Sequence, residues 1–288
     1  MTTVAGGRSP NWSVNRVGGS LGAEMVGIDL MSVGPADRPA LEDLVVKHHV
    51  VVFRDQHDFT EQGLLDFGRL FGPLREYAGV KDRTKAGGLV MHLTNDPAVA
   101  RVTDGWHMEA TATEQPPSYT ILRALKLPEA GGDTLFSNQH VAFERLSDTF
   151  RKVLRGLKAI HSFDYGPSGV RKVVHPVVRT HPVTGRETLY VSETFVKQLE
   201  GMTVEESQPI LRYLFDFSTR PEFGYRHRWL RGDVLMWDNR SVAHRAIHDY
   251  GDDPEARIMN NVQTKCEPVF WLPQDHGRLG SRRQGETC

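Results

Sequence analysis

Short apolar runs rich in β-branched residues alternate with turn residues along most of the chain. Runs of this kind, bounded by Gly, Pro, Asn and Asp, are typical of β-strands. The run V-V-V-F has no polar position, so it predicts a buried strand. The pattern predicts strands within residues 48–55, 88–94, 118–127 and 131–138, then strands and turns over 158–197 and three more strands between 227 and 262.

Apolar residues with helical spacing occur at four places between these runs. Thr60 is a plausible N-cap for the second, whose apolar stripe continues to a Gly-Pro stop at residues 72–73. The third is amphipathic throughout and predicts one helix packed on a sheet. The four predicted helices cover residues 41–46, 60–71, 142–157 and 204–219.

The order of these elements predicts one domain at residues 13–274, because no internal repeat or linker interrupts it. Residues 1–12 are dominated by Gly, Ser, Thr and Pro without periodicity, which predicts disorder. The polar segment 275–288 predicts a mobile C-terminal tail. Many short strands with a few helices favour a mainly β fold with flanking α-helices, either a sandwich or a jelly roll.

The composition excludes several classes of protein. Of the 288 residues, 39% are hydrophobic and 25% are charged, and the formal net charge is −1, so neither nucleic acid nor membrane is an expected partner. No apolar run reaches the roughly 18 residues of a membrane helix, and the N-terminus lacks the apolar core of a signal peptide. The two cysteines, Cys266 and Cys288, do not suffice for a disulfide framework, so we expect a cytoplasmic protein.

The segment G-W-H-M-E-A-T places His107 and Glu109 two residues apart. In a strand the two side chains would share a face and could present an imidazole and a carboxylate to one metal ion. A buried histidine beside an unrelated surface acid explains the same spacing, and the pair alone favours that simpler interpretation. The segment G-G-D-T at residues 131–134 is too short for a nucleotide-binding loop and predicts a tight turn.

Two further candidate residues lie in the last quarter of the chain. His244 ends an apolar strand pattern and, taken alone, is better explained as a core histidine bonded to a backbone carbonyl. Arg257 shares a face with Met259 and Asn261 if their segment is a strand. A buried arginine requires an anionic partner, which is either a bound carboxylate or a distant Asp or Glu of the chain.

Taken together, these residues are consistent with one kind of chemistry. Two imidazoles and one carboxylate on one face of an iron ion leave three positions open, as in non-haem Fe(II) oxygenases. An arginine deeper in the same pocket can bind the far carboxylate of a 2-oxo acid cosubstrate through two hydrogen bonds.

Longer stretches of the chain resemble the taurine/2,4-D dioxygenase (TauD/TfdA-like) family of Fe(II)- and 2-oxoglutarate-dependent dioxygenases. The resemblance covers roughly residues 15–265. It implies a double-stranded β-helix, or jelly roll. The stretches that carry it are H-H-V-V-V-F-R-D-Q, F-G-R-L-F-G-P-L, W-H-M-E-A-T, P-P-S-Y-T-I-L-R-A, L-P-E-A-G-G-D-T-L-F-S-N, H-P-V-T-G-R-E-T-L-Y-V and G-D-V-L-M-W-D-N-R-S-V-A-H-R-A.

The resemblance assigns roles to single residues. His107 and Glu109 match the first two metal ligands of the family, and His244 matches the third. Arg257 and Thr134 match the residues that bind the distal carboxylate of 2-oxoglutarate. The implied cofactors are Fe(II), 2-oxoglutarate as cosubstrate and O2. The implied partner is a small molecule that undergoes hydroxylation, desaturation or ring change at an aliphatic C–H, and we expect a homo-oligomer, either a dimer or a tetramer.

Three positions depart from the family pattern. Glu109 stands where aspartate is usual, and glutamate is one methylene longer but still a hard oxygen ligand. Asn261 stands where the sulfonate-using members carry a second arginine, and Tyr77 where they have a substrate-binding histidine. Both residues are therefore candidate substrate contacts, and they favour a less acidic molecule than taurine, such as an intermediate of specialised or antibiotic metabolism.

Two alternatives use the same residues. A zinc-dependent hydrolase or isomerase on a jelly roll could use His107, Glu109 and His244 with an activated water. A non-catalytic jelly-roll sensor could bind a metabolite. Arg257 and Thr134 discriminate against the hydrolase, because hydrolysis needs no clamp for a cosubstrate carboxylate. The intact ligand set discriminates against the sensor, because a pure binder need not keep three ligands.

Overall fold

The computed structural model describes most of the chain between Trp12 and Leu272. The segments predicted to be disordered, 1–12, and mobile, 275–288, lie outside the described residues except for Trp12, which packs against the core. No helix among the described residues is long and apolar enough to cross a bilayer. The described residues are 12–77, 84–94, 104–164, 169–251, 253, 255–265 and 268–272.

Strands make up most of the described secondary structure, which confirms the mainly β prediction. They form at nearly all the positions where apolar runs were bounded by turn residues. The strands are β1 (Ser13–Arg16), β2 (Ala23–Val26), β3 (Val50–Phe53), β4 (Thr84–Lys85), β5 (Val90–Leu93), β6 (Tyr119–Lys126), β7 (Thr134–Asn138), β8 (Lys158–Asp164), β9 (Val170–Pro176), β10 (Val178–Thr180), β11 (Glu187–Leu189), β12 (Val196–Leu199), β13 (Gly224–His227), β14 (Val234–Asp238), β15 (Val242–Ala246) and β16 (Ile258–Gln263).

Two of the sheets position the candidate residues. The main sheet has the strand order β1-β2-β3-β14-β6-β16-β5-β4, and the second has the order β13-β7-β15. Neighbouring strands in both are antiparallel, except for the parallel pair β2 and β3. The remaining described strands form two smaller, separate sheets, β12-β8-β9 and β10-β11.

Within the described part of the chain, five α-helices accompany the sheets, and one prediction for them is wrong. The single helix predicted over 142–157 is two helices, because Ser147 accepts a hydrogen bond from Phe150 N–H and caps a new helix. The Thr60 cap is confirmed by its bond from Gly63 N–H. The helices are α1 (Arg38–His48), α2 (Glu61–Leu70), α3 (Gln139–Glu144), α4 (Asp148–Arg155) and α5 (Val204–Ser218).

Strand β3 shows why the apolar run V-V-V-F has no polar position. Val51 and Phe53 belong to a core cluster shared with α1 and α2, whereas Val50 and Val52 belong to a second cluster. The second cluster includes Phe136 of β7 in the second sheet. At β3 the main sheet is therefore buried on both faces, by helices on one side and by the second sheet on the other.

Candidate metal centre

His107 and His244 are held side by side by their backbones. His107 N–H donates to His244 O at 3.0 Å, and His244 N–H donates to His107 O at 2.8 Å. This isolated bridge adds residue 107 to the free edge of β15 in the second sheet. Both side chains are buried, and their ring centroids lie 4.1 Å apart.

Glu109 reaches the two histidines by a different route from the predicted one. Residue 107 forms a single bridge and residue 109 lies in a turn, so strand alternation does not align the two side chains. The turn continues into Ala110, whose φ of 47° is left-handed, and Thr113 Oγ1 donates to Ala110 O at 2.7 Å. Glu109 Oε1 consequently lies 3.2 Å from His244 Nε2 and 4.0 Å from His107 Nε2.

The chemistry of this donor set fits a divalent metal ion. The three side chains each offer one ligand atom, and these atoms all lie within 4.8 Å of one another. His107 Nδ1 lies 2.9 Å from Gly105 O. Because a carbonyl only accepts, Nδ1 carries the proton, and the lone pair of His107 Nε2 is free to bind a metal.

The charge states also suit a metal. Burial, followed by the neighbouring His244, lowers the pKa of His107 to about 4, although Glu109 acts to raise it. Burial acts to raise the pKa of Glu109, but the hydrogen bond and charge of His244, with His107 and Gln263, bring it to about 2. At neutral pH His107 is therefore neutral and Glu109 is ionised, as metal ligands must be.

Gln263 and Arg75 complete the surroundings of Glu109, and neither was predicted from the sequence as part of the centre. Gln263 Nε2 donates to Glu109 Oε2 at 2.7 Å, and Arg75 Nη1 donates to Gln263 Oε1 at 3.0 Å. Gln263 lies two positions beyond Asn261 on β16, so strand alternation, applied to Asn261, was the signal that pointed to it.

Arg257 and Thr134 lie together next to the centre. Arg257 Nη2 donates to Thr134 Oγ1 at 3.5 Å, and Arg257 Nε donates to Gly132 O at 3.1 Å. Thr134 also accepts a bond of 3.0 Å from Trp229 Nε1. In the pairing of β7 with β15, Thr134 lies opposite Ala246, two positions from His244. Thr134 is thus roughly 7 Å from His244 along the sheet.

The guanidinium of Arg257 has no carboxylate within ion-pairing distance among the described residues. Asp133 is nearby but pairs with Arg226 at 2.6 Å. Burial lowers the pKa of Arg257 to about 10, while Tyr250 and Asp133 act to raise it. The described residues therefore do not support a structural ion pair for Arg257. Its guanidinium remains available to an external anion.

Tyr77 and Asn261 contact each other, as two residues facing one site would. Tyr77 O–H donates to Asn261 Oδ1 at 3.2 Å. Burial first, and then the charge of Glu109, raises the pKa of Tyr77 well above its ordinary value. Tyr77 is therefore a neutral hydrogen-bond donor close to the carboxylate of the centre.

Comparison with known proteins extends these findings. A family model described as "Taurine catabolism dioxygenase TauD, TfdA family" matches residues 13–263. The chain is 33% identical to an alpha-ketoglutarate-dependent sulfate ester dioxygenase of Pseudomonas putida, over 86% of this chain and 88% of that protein. A taurine dioxygenase structure from Burkholderia xenovorans matches with a TM-score of 0.81 and 33% identity, covering 90% of this chain and 93% of that one.

A further solved structure, AAD-2 in complex with Mn(II) and N-oxalylglycine, matches with a TM-score of 0.82 and 25% identity, covering 90% of this chain and 99% of that one. The jelly-roll prediction is confirmed, and the hydrolase, isomerase and sensor alternatives are set aside. The chain belongs to the TauD/TfdA family and is an oxidoreductase, a dioxygenase that uses Fe(II), 2-oxoglutarate (alpha-ketoglutarate) and O2.

Proposed function

We propose that His107, Glu109 and His244 hold the Fe(II) of this dioxygenase, and that Arg257 with Thr134 binds the distal carboxylate of 2-oxoglutarate. The reaction oxidises an aliphatic C–H of a small organic molecule, by hydroxylation, desaturation or ring change. The observation that carries the proposal is the convergence of two imidazoles and one carboxylate within 4.8 Å. A buried arginine without a described carboxylate partner lies beside them.

The chain contributes positioning and electrostatics to this reaction. Bound iron would allow O2 to act as the oxidant: one oxygen atom would be taken up by 2-oxoglutarate, which becomes succinate and CO2, and the other would oxidise the substrate. The paired backbones of His107 and His244 fix the spacing of the two imidazoles before metal arrives. The bond from His107 Nδ1 to Gly105 O holds that ring in the tautomer whose Nε2 can bind.

Arg257 orients the cosubstrate from its far end. Its separation from the centre, roughly 7 Å along the sheet at Thr134, suits a short dicarboxylate bound at both ends. The Trp229 ring lies 5.7 Å from the guanidinium carbon and its N–H donates to Thr134. These contacts restrict the arginine and the threonine to one arrangement, which lowers the ordering cost of binding.

The substrate side of the site favours a polar but weakly acidic molecule. The Tyr77 hydroxyl donates to Asn261 Oδ1, and no described residue accepts a hydrogen bond from the amide NH2 of Asn261, which could therefore donate to a substrate. Neither residue carries a positive charge at neutral pH, whereas a sulfonate or sulfate head calls for one. We therefore propose an intermediate of a specialised-metabolite pathway, rather than taurine, as the substrate class.

The experiment that tests the metal assignment compares His107→Ala with the unaltered enzyme. With Fe(II) and a panel of candidate substrates, the unaltered enzyme consumes 2-oxoglutarate, and His107→Ala loses at least 100-fold of that rate because a ligand is missing. The control is His57→Ala, since the His57 side chain is 55% exposed. Normal turnover by His107→Ala would show that the metal ligands are misassigned.

The same assay tests the substrate class. The panel contains taurine and alkyl sulfates in one arm, and neutral amides and alcohols in the other. We expect only the second arm to stimulate consumption of 2-oxoglutarate. Stimulation by an alkyl sulfate, which is a sulfate ester like the substrates in the name of the Pseudomonas relative, would contradict the substrate proposal and leave the metal assignment intact.

A further inference from the structure

The two oxygens of the Glu109 carboxylate have different partners. Oε1 lies 3.2 Å from His244 Nε2 and 4.0 Å from His107 Nε2, and so faces the ligand atoms of both imidazoles. Oε2 accepts a hydrogen bond of 2.7 Å from Gln263 Nε2. One oxygen therefore faces the centre, and the other faces the main sheet.

Arg75 determines which end of the Gln263 amide faces Glu109. A guanidinium only donates, so the oxygen of the amide must be the end that lies 3.0 Å from Arg75 Nη1. The amide NH2 then faces the carboxylate, which only accepts. The backbone N–H of Arg75 also donates to the backbone carbonyl of Gln263 at 2.8 Å, and this bond fixes the two residues relative to each other. Gln263 itself is only 2% exposed, so its side-chain amide is largely shielded from water.

The extra methylene of Glu109 makes this contact relevant to the metal. A glutamate has one more rotatable bond than an aspartate and can approach an ion with one oxygen or with both. A second bound oxygen would occupy a position that the cosubstrate or O2 requires. With Oε2 held by Gln263, only Oε1 is available to an ion.

We propose that Gln263, oriented by Arg75, is a positioning residue that restricts Glu109 to one metal-binding oxygen and so keeps the other coordination positions open. The inference rests on the proposed metal centre. It explains how a chain with the longer carboxylate retains the three open positions that its chemistry needs.

The test is a double-mutant cycle on Mn(II) affinity, measured by isothermal titration calorimetry in four proteins: unaltered, Gln263→Leu, Glu109→Asp and the double variant. We expect Gln263→Leu alone to weaken Mn(II) binding about 10-fold, because the loss of an outer partner of a metal ligand typically costs about 10- to 100-fold and the second oxygen that becomes free to bind recovers part of that loss. In the Glu109→Asp background the same substitution should change affinity less than threefold, because the shorter carboxylate does not reach residue 263.

Three outcomes separate the possibilities. An equal loss in both backgrounds, or no loss in either, overturns the inference, because Gln263 would then act on folding or not at all. Failure of the unaltered protein to bind Mn(II) overturns the metal centre itself and the inference with it. Thermal unfolding of the metal-free variants checks folding. If Gln263→Leu does not fold, Arg75→Met replaces it in the cycle and should give a smaller loss that also depends on Glu109.

A crystal structure of the Mn(II)-loaded Gln263→Leu protein, or of Arg75→Met in its place, provides a second readout. We expect both oxygens of Glu109 on the ion there and only one in the unaltered protein. A single bound oxygen in both structures would overturn the inference, whatever the affinities.

Discussion

At the scale of single residues, the least expected feature is a buried charge without a described counter-charge. Arg257 is 9% exposed, and its hydrogen-bond partners among the described residues are a carbonyl and a hydroxyl. Removing a guanidinium from water is costly unless an anion compensates. The fold therefore tolerates Arg257 at a cost that a bound carboxylate would offset.

The prediction at this scale concerns cosubstrate affinity. Arg257→Met should raise the KM for 2-oxoglutarate about 10- to 100-fold, because a hydrogen bond to a charged group contributes about 1.5–3 kcal/mol. The measurement is the rate of 2-oxoglutarate consumption as a function of its concentration. Arg69→Met is the matched control, since Arg69 is 48% exposed and forms an ion pair with Asp66 on its own helix. An unchanged KM would remove Arg257 from the cosubstrate site.

At the scale of elements, hydrogen bonds at helix ends determined where the helices begin, which the apolar periodicity did not specify. The apolar spacing over 142–157 continues through the break, so the pattern predicted one helix where Ser147 begins a second. In contrast, α5 begins at a full capping box, in which Thr203 and Glu206 bond to each other's backbone N–H. Such caps satisfy N–H groups that a helix leaves unpaired.

For α5 we predict a measurable loss when the cap is removed. Thr203→Ala should lower the free energy of unfolding by about 1 kcal/mol, because Glu206 N–H loses its acceptor. Urea unfolding followed by circular dichroism provides the measurement. Thr203→Ser keeps the hydroxyl and should stay within about 0.5 kcal/mol of the unaltered protein. An equal loss in both variants would attribute the effect to packing.

At the scale of the whole molecule, Asp238 joins distant segments of the chain. Its carboxylate accepts two bonds of 2.7 Å from Arg240 and lies 2.9 Å from His181 Nε2 in the turn between β10 and β11. Arg240 also donates to Tyr119, whose hydroxyl donates to Glu42 of α1. The network thus links the main sheet to α1 and to the smaller sheet β10-β11.

Asp238→Asn should destabilise the fold strongly near neutral pH. The loss is expected to be about 3–5 kcal/mol, because the buried Arg240 and His181 lose the carboxylate charge that both of them contact. Burial acts to raise the pKa of Asp238, but Arg240 and His181 hold that pKa well below its ordinary value. The stabilisation is therefore complete above the pKa of the unfolded chain, about 3.9, and is lost as the pH falls below it.

Urea unfolding of both proteins from about pH 7 to about pH 3 measures this dependence. The difference between the unaltered protein and Asp238→Asn should narrow on the acid side. A difference that is the same at both ends of the range would mean that shape, and not charge, is what Asp238 contributes.

Much of the candidate site could be predicted from local sequence. His107, Glu109 and His244 were assigned through motifs, and the structure brings their ligand atoms within 4.8 Å of one another. The reason given for His107 and Glu109 was wrong, however, because a turn and the left-handed Ala110, and not strand alternation, align them. Strand alternation from Asn261 could have pointed to Gln263, but its contact with Glu109, 154 residues away in the chain, could not be predicted from local sequence.

The sequence by itself determined most of the strands and helices, the double burial of strands such as β3, the family and the chemical types of the ligands. Each of these features depends on residues that are close together in the chain. Only the tertiary structure decided where β15, β16 and the turn at Glu109 meet, and therefore which oxygen of Glu109 faces the metal centre. Hydrogen bonds between residues far apart in the chain depend on strand order and register, and local patterns do not specify these.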